Sequence, residues 1–209
     1  MRYLNRKEAG SRLAEALRQY RGQEVVVLAV PRGGLPVGAM VAKALGAPLD
    51  VALSKKIGHP SNPEYAIGAV SLTDRVITDA TGISESYIKQ QIQRIREQLR
   101  RRYEAYHKER PEVPLKDKVV ILVDDGMATG NTLLVLTKLV LEQGPKKIVV
   151  AVPVAAPSAL DTFKRQPHIG EVVCLQSPED FQAVGQYYVH FYQVSDDEAI
   201  QWLKESTLS

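Results

Sequence analysis

The stretch Val119-Val120-Ile121-Leu122-Val123-Asp124-Asp125-Gly126-Met127-Ala128-Thr129-Gly130-Asn131-Thr132 decides how the rest of the chain is read. Its first five residues are apolar and mostly β-branched, the pattern of a strand buried on both faces of a parallel sheet. Asp124 and Asp125 stand at the tip of that strand. A short loop with two glycines and two threonines follows, and then an apolar helix. Open α/β sheets bind ligands beyond the carboxyl ends of their strands. A loop entering a helix N-terminus offers free N–H groups and the positive end of a dipole, which suits a phosphate. Paired carboxylates beside such a cup suit a vicinal diol on one side and Mg²⁺ on another. A sugar phosphate carries both groups. The plainer reading is a solvated strand-to-helix turn with a Thr or Asn cap. Adjacent acids at a strand end are common; this ordered string behind a buried strand is not.

The element is neither a Walker loop, which needs a lysine after its last glycine, nor the G-x-G-x-x-G of dinucleotide folds. It resembles the signature of the type I phosphoribosyltransferases, which bind 5-phosphoribosyl-1-pyrophosphate (PRPP). The resemblance implies that Asp124 and Asp125 hold the ribose diol and serve catalysis. It implies that Ala128, Thr129, Gly130, Asn131 and Thr132 hold the 5-phosphate, and that Mg²⁺ arrives through PRPP and touches Asp124 or Asp125. The match spans about residues 24–155. The strings A-V-P-R-G-G-L-P-V-G, K-I-G-H-P-S-N-P-E-Y-A-I-G-A-V and V-D-D-G-M-A-T-G extend it over nearly the whole chain. In that form it is similar to a group of bacterial phosphoribosyltransferases of unassigned substrate.

The pattern outward from the motif is that of an α/β protein with an open, mainly parallel twisted sheet flanked by helices. Asn5 and Glu8 form a capping-box pair ahead of a helix ending before Gly22. Residues 24–30 read as a strand, 37–45 as a helix, 49–53 as a strand and 57–65 as a loop rich in Gly, Pro and Asn. Residues 66–72 and 75–78 read as short paired strands. Strand 119–123, helix 131–143, strand 147–154, a helix from about Ser158 and strand 171–175 complete the rhythm. The whole of 1–209 reads as one domain, with a helical insertion at 80–117 and a C-terminal hood at 176–209. In the insertion, Ser84 can cap a helix closed by Pro111, and Ile88, Ile92, Ile95, Leu99, Tyr103 and Tyr106 form one stripe. Its other face is rich in Arg and Lys. Interleaved glutamates favour a solvated helix over a nucleic-acid surface.

Composition excludes several classes. The chain has 209 residues, 44% hydrophobic and 24% charged, with a net charge of +3, which permits an anionic substrate without arguing for nucleic acid. Its single cysteine, Cys174, allows no intramolecular disulfide and suits a reducing cytoplasm. No stretch approaches the roughly 18 apolar residues of a membrane span. The four histidines have no metal-ligand spacing, and no G-x-S-x-G elbow is present.

Three further segments complete the expected site. Val30-Pro31-Arg32-Gly33-Gly34-Leu35 joins a strand to a helix, where glycines let a backbone approach a ligand and Arg32 offers a forked cation. In the resembling family this loop binds pyrophosphate, often around a non-proline cis peptide, so Arg32, Gly33 and Gly34 are pyrophosphate candidates, and Arg32 a catalytic one. Lys55 and Lys56 end the next strand; alternation lets one of them face the pyrophosphate. The 57–65 loop resembles the family's closing lid, with His59 and Tyr65 as lid candidates. The tail from Ser177 holds five aromatics between residues 181 and 192, well above the 6% average of the chain. Phe181, Tyr187 and Tyr188, with Phe191 and Tyr192, are candidates to stack on a base; core or subunit interface is the alternative.

One departure bears on the base. Ala128 stands where hypoxanthine-guanine enzymes usually carry an aspartate, and K-K-x-G-x-P upstream is similar to adenine enzymes. The expectation is therefore transfer of phosphoribosyl from Mg-PRPP to a purine-like, adenine-type base in a cytoplasmic homodimer, without membrane or nucleic-acid partners. A PRPP- or nucleotide-sensing regulator with a basic nucleic-acid face is the alternative.

Overall fold

The computed structural model describes residues 1–77, 80–107 and 112–206. Five parallel strands form the main sheet: β1 (Val25–Ala29), β2 (Leu49–Val51), β6 (Val119–Val123), β7 (Lys147–Val154) and β8 (Glu171–Gln176), in the order β2-β1-β6-β7-β8. Every residue of β1 and β6 is buried, which is why both read as unbroken apolar runs. Helices α1 (Arg6–Ala16) and α2 (Gly34–Leu45) pack on each other, and α4 (Asn131–Leu141) and α5 (Pro157–Lys164) follow the later strands. One core cluster lies on the face carrying Val25, Val27, Ile121 and Val149, the other on the face carrying Val26, Val120, Leu122 and Val150. That alternation is the period of a strand.

The strand order decides where a ligand can sit. The chain leaves β1 toward β2 and leaves β6 toward β7, in opposite directions along the sheet. The loops after β1 and β6 therefore part, and the crevice between them is the switch point of the fold.

The segment expected to be a loop at 57–65 is instead a β-hairpin. Strands β3 (Lys55–His59) and β4 (Asn62–Val70) turn at Pro60 and Ser61, and β5 (Arg75–Ile77) pairs with β4 to make a three-stranded antiparallel sheet. The density of Gly, Pro and Asn hid the strand. Gly58 is needed because the backbone of Pro63 crosses there: an added Cβ would lie 2.5 Å from the Pro63 carbonyl oxygen. Ile57, Ile67 and Val70 anchor this sheet in the core. The expected strand end at Thr78 and helix stop at Pro111 lie outside the described residues.

Helix α3 (Glu85–His107) forms where the insertion predicted it, and Ile88, Ile92, Ile95, Leu99 and Tyr106 are buried as one stripe. The tail holds an element the sequence reading did not foresee, α6 (Asp196–Glu205), packed on α2 and α3. Ser195 accepts from the Glu198 N–H at 3.2 Å and Glu198 accepts from the Ser195 N–H at 2.8 Å, a complete capping box. The other helices begin and end within a few residues of expectation, α2 three residues earlier because Gly34 already follows helical geometry.

Candidate active site

Two loops and the two chain ends meet at the crevice. Val123 ends β6, and the chain turns so that the Asp125 N–H donates to Asp124 Oδ1 at 2.8 Å. Opposite, the loop after β1 passes through a cis Pro31–Arg32 peptide, as the resemblance implied. Gly33 and Gly34 lie directly on the acid pair. A Cβ on Gly33 would stand 2.2 Å from Asp125 Oδ2, and one on Gly34 would stand 2.8 Å from the Val123 carbonyl oxygen. Only glycine allows these loops to touch.

Beyond the acids, Met127 bridges to Ala155 and is buried, which pins the loop to β7. Ala128, Thr129, Asn131 and Thr132 remain exposed. Gly130 has φ +73°, and a Cβ there would meet Phe163 at 2.5 Å. It is the N-cap of α4 and has no side chain to cap the helix; of the first-turn N–H groups, that of Asn131 donates to Thr129 Oγ1 at 3.4 Å. Of the five phosphate candidates, Ala128, Thr129 and Gly130 stand in this loop and Asn131 and Thr132 open α4.

The electrostatics are lopsided. Burial, followed by the charge of Asp125, drives the Asp124 carboxyl well above the ordinary carboxylate range. Burial also raises Asp125, although Arg6 partly offsets it. Arg6 lies at the first position of α1, and its Nε donates to Asp125 Oδ2 at 2.8 Å. Its Nη1 donates to the Tyr192 carbonyl at 2.7 Å, and its guanidinium lies 3.9 Å from the centroid of the Phe191 ring. From below, the Tyr188 hydroxyl donates to the Asp125 carbonyl at 2.6 Å.

Residues 3–4 and 187–190 are tied together beside this cluster. The N–H of Tyr3 donates to Tyr187, and the N–H groups of Val189 and His190 donate to Tyr3 and Leu4. Arg6 was not foreseen as a site residue, and Tyr188 was foreseen only as a candidate to stack on a base. One signal was available for Arg6: a cation in the first turn of a helix opposes the dipole, so Arg6 is not there for the helix.

The remaining candidates fall elsewhere. Arg32 turns toward the start of α6, with Nη1 3.8 Å from Asp196 Oδ2. Lys55 reaches Gln98 of α3 at 2.6 Å, and Lys56 next to it is exposed. His59 and Tyr65 meet edge to face on the hairpin, with ring centroids 6.2 Å apart. Tyr187 and Tyr188, read as base-stacking or core candidates, are 8% and 1% exposed and pack in a cluster with Tyr3, Ala9 and Val154. Phe181 stacks on Tyr187. Phe191 and Tyr192 keep 37% and 76% of their surface exposed.

Among the described residues, no group of three or more His, Cys, Asp or Glu is placed to share an ion. Two carboxylates, one of them held by Arg6, suit a Mg²⁺ that keeps its waters and arrives on substrate phosphates. No helix of the described residues is long and apolar enough to cross a membrane.

Comparison with known proteins gives the family and the fold. The chain is 40% identical, over 95% of its length, to the Mycobacterium tuberculosis (strain CDC 1551) protein MT0597, whose name assigns it provisionally to the phosphoribosyl transferases. It spans about half of that relative, 46% of its length. Among solved structures, TT1426 from Thermus thermophilus superposes with a TM-score of 0.87 at 42% identity, covering 98% of this chain and 99% of that one. A hypothetical protein from Neisseria gonorrhoeae, solved with bound ppGpp, shares the fold with a TM-score of 0.54 at 15% identity, covering 98% of this chain and 94% of that one. The phosphoribosyl transferase domain family matches residues 3–189, and the chain belongs to that family.

Proposed function

We propose that the protein transfers the 5-phosphoribosyl group from Mg-PRPP to a nitrogen of a heterocyclic base and releases pyrophosphate. The observation that carries this reading is the contact of Gly33 and Gly34 with Asp125 and Asp124 at the switch point, beside an uncapped helix start. The 128–132 loop takes the 5-phosphate, the acid pair takes the ribose diol, and the backbone at Arg32–Gly34 takes the pyrophosphate. Asp125 offers chiefly Oδ1, because Oδ2 is engaged by Arg6.

The bond between the anomeric carbon and the pyrophosphate oxygen breaks as the bond to the base nitrogen forms. The carbon passes through a cationic state, so catalysis rests on positioning and on neutralising the leaving group. Magnesium, carried in with PRPP, neutralises phosphate charge. The acid pair faces the ribose as positive charge grows, and Asp124 can hold the proton that the base nitrogen sheds. The acceptor approaches from the side of Tyr192, whose exposed ring suits a flat heterocycle; Phe191 beside it already carries Arg6 and Tyr188. Ala128 in place of an aspartate favours an adenine-type base. Action as a homodimer in the cytoplasm belongs to the same proposal.

A panel of nucleobases with PRPP and magnesium, read by pyrophosphate release, tests this. Release with one purine is the expected result, and silence across the panel contradicts turnover. A second reading has its own observation, a groove between β5 and α3 lined by Arg75, Lys89, Arg96 and Arg100. Saturable PRPP binding without release, joined to salt-sensitive RNA binding that is lost on reversing these charges, favours a regulator.

A further inference from the structure

Arg6 is not an ordinary surface arginine. Its side chain is 11% exposed and is fixed by Asp125, the Tyr192 carbonyl and the face of Phe191. Two of its three nitrogens are spent on those contacts. The third, Nη2, has no hydrogen-bond acceptor among the described residues. It lies 3.5 Å from the point where a Cβ of Gly33 would stand, directly over the loop after β1. The arginine that the sequence placed there, Arg32, turns instead to Asp196.

We propose that Arg6 is a ligand-binding residue of the crevice. With Nε held on Asp125, its Nη2 donates to a pyrophosphate oxygen seated on the Arg32–Gly34 loop. This rests on the PRPP reading above and adds the residue that recognises the leaving group. A guanidinium is suited to the task because its donors lie in one rigid plane, so one edge can grip a carboxylate and another a phosphate oxygen. The same contact links the leaving group to the tail, since Nη1 holds Tyr192. The charges sum sensibly: two buried carboxylates would repel an incoming pyrophosphate, and Arg6 places a cation between them and it.

The test compares two probes on the full chain, magnesium pyrophosphate and ribose 5-phosphate, by calorimetry with Arg6→Gln and Arg6→Lys. Loss of one charge-assisted bond predicts pyrophosphate binding weaker by about 10- to 100-fold in Arg6→Gln, with a clearly smaller loss for ribose 5-phosphate. Arg6→Lys keeps the charge and recovers part of the pyrophosphate affinity. If Arg6→Gln fails to fold, as a thermal melt will show, the same split is read from Arg6→Lys. Equal losses for both probes, or none, make Arg6 a structural strut and overturn the proposal. Wild-type protein that binds ribose 5-phosphate but not pyrophosphate overturns the Arg6 assignment alone. Wild-type protein that binds neither overturns the PRPP reading with it.

Discussion

The two ends of the main sheet carry the same three kinds of group and reach opposite electrostatic outcomes. At the amino ends of the strands, Tyr20, Lys147 and Glu171 close on one another. Lys147 donates to Tyr20 at 2.7 Å and to Glu171 at 2.9 Å, and the Tyr20 hydroxyl donates to Glu171. Burial pushes the Glu171 carboxyl up, yet hydrogen bonds from Tyr20, Lys147 and Gln19 outweigh it and hold the group below its ordinary value. At the carboxyl ends, Arg6, Asp125 and Tyr188 meet, but Tyr188 spends its hydroxyl on a backbone carbonyl and Arg6 hydrogen-bonds only one of the two carboxylates, Asp125. Asp124 and Asp125 both stay above the ordinary value. A closed triad holds the fold together. A cluster left with unmet charge and open donors is prepared for something the chain does not itself supply, and strained ionisation of this kind gathers at functional sites.

Four substitutions can break or sharpen that contrast. The largest effect belongs to Asp124→Asn with Asp125→Asn, which removes both diol acceptors and weakens Mg-PRPP binding by at least about 100-fold in calorimetry. Retained affinity takes the acids out of the site. Gly33→Ala comes next. Its methyl collides with Asp125 Oδ2, so denaturant melts are expected to show a loss of about 1–3 kcal/mol, with ligand binding falling alongside.

Asp124→Asn alone acts in the opposite direction on stability. The folded carboxyl midpoint is raised, so the folded state holds extra protons between the unfolded midpoint and the folded one. Stability is full below the unfolded midpoint, near pH 4, and falls as pH rises through the folded one. The amide keeps the acceptor for the Asp125 N–H and removes the buried charge. At neutral pH it is expected to gain about 1 kcal/mol, a rise of roughly 2–4 °C in melting temperature, and to flatten the pH slope. A variant less stable than wild type at pH 7 contradicts the electrostatic account. The smallest effect is at the other end of the sheet. Glu171→Gln is expected to cost about 1 kcal/mol or less, because its partners are partly solvated, and to leave Mg-PRPP affinity unchanged. A matching loss of binding would erase the distinction between the two ends.

Much of this was legible in the chain. Unbroken apolar runs identify β1, β6 and β7, since only a doubly covered parallel strand tolerates them. The pair Asp124-Asp125, the glycines at 33 and 34 and the loop through Gly130 carry local rules that need no partner to be read. What escaped depends on contacts distant in sequence or on burial. The Arg6 bond to Asp125 crosses 119 positions, and no local pattern encodes it. The aromatic tail announced itself by composition, but composition cannot separate Tyr188, sealed against Tyr3, from Tyr192 in solvent. The hairpin at 55–70 was masked by turn-formers that in fact sit at its tip and at one close crossing, Gly58. Helix α6 carried a readable signal in Ser195 and Glu198, obscured by the aromatic run ahead of it.

The most direct test of the central claim is a calorimetric titration of Mg-PRPP into the full chain at neutral pH, with crystals soaked in the same compound. The account predicts saturable one-site heat and density running from the 128–132 loop across Asp124 and Asp125 to Gly33. No heat beyond dilution, with the crevice empty in the soaked crystals, would contradict it.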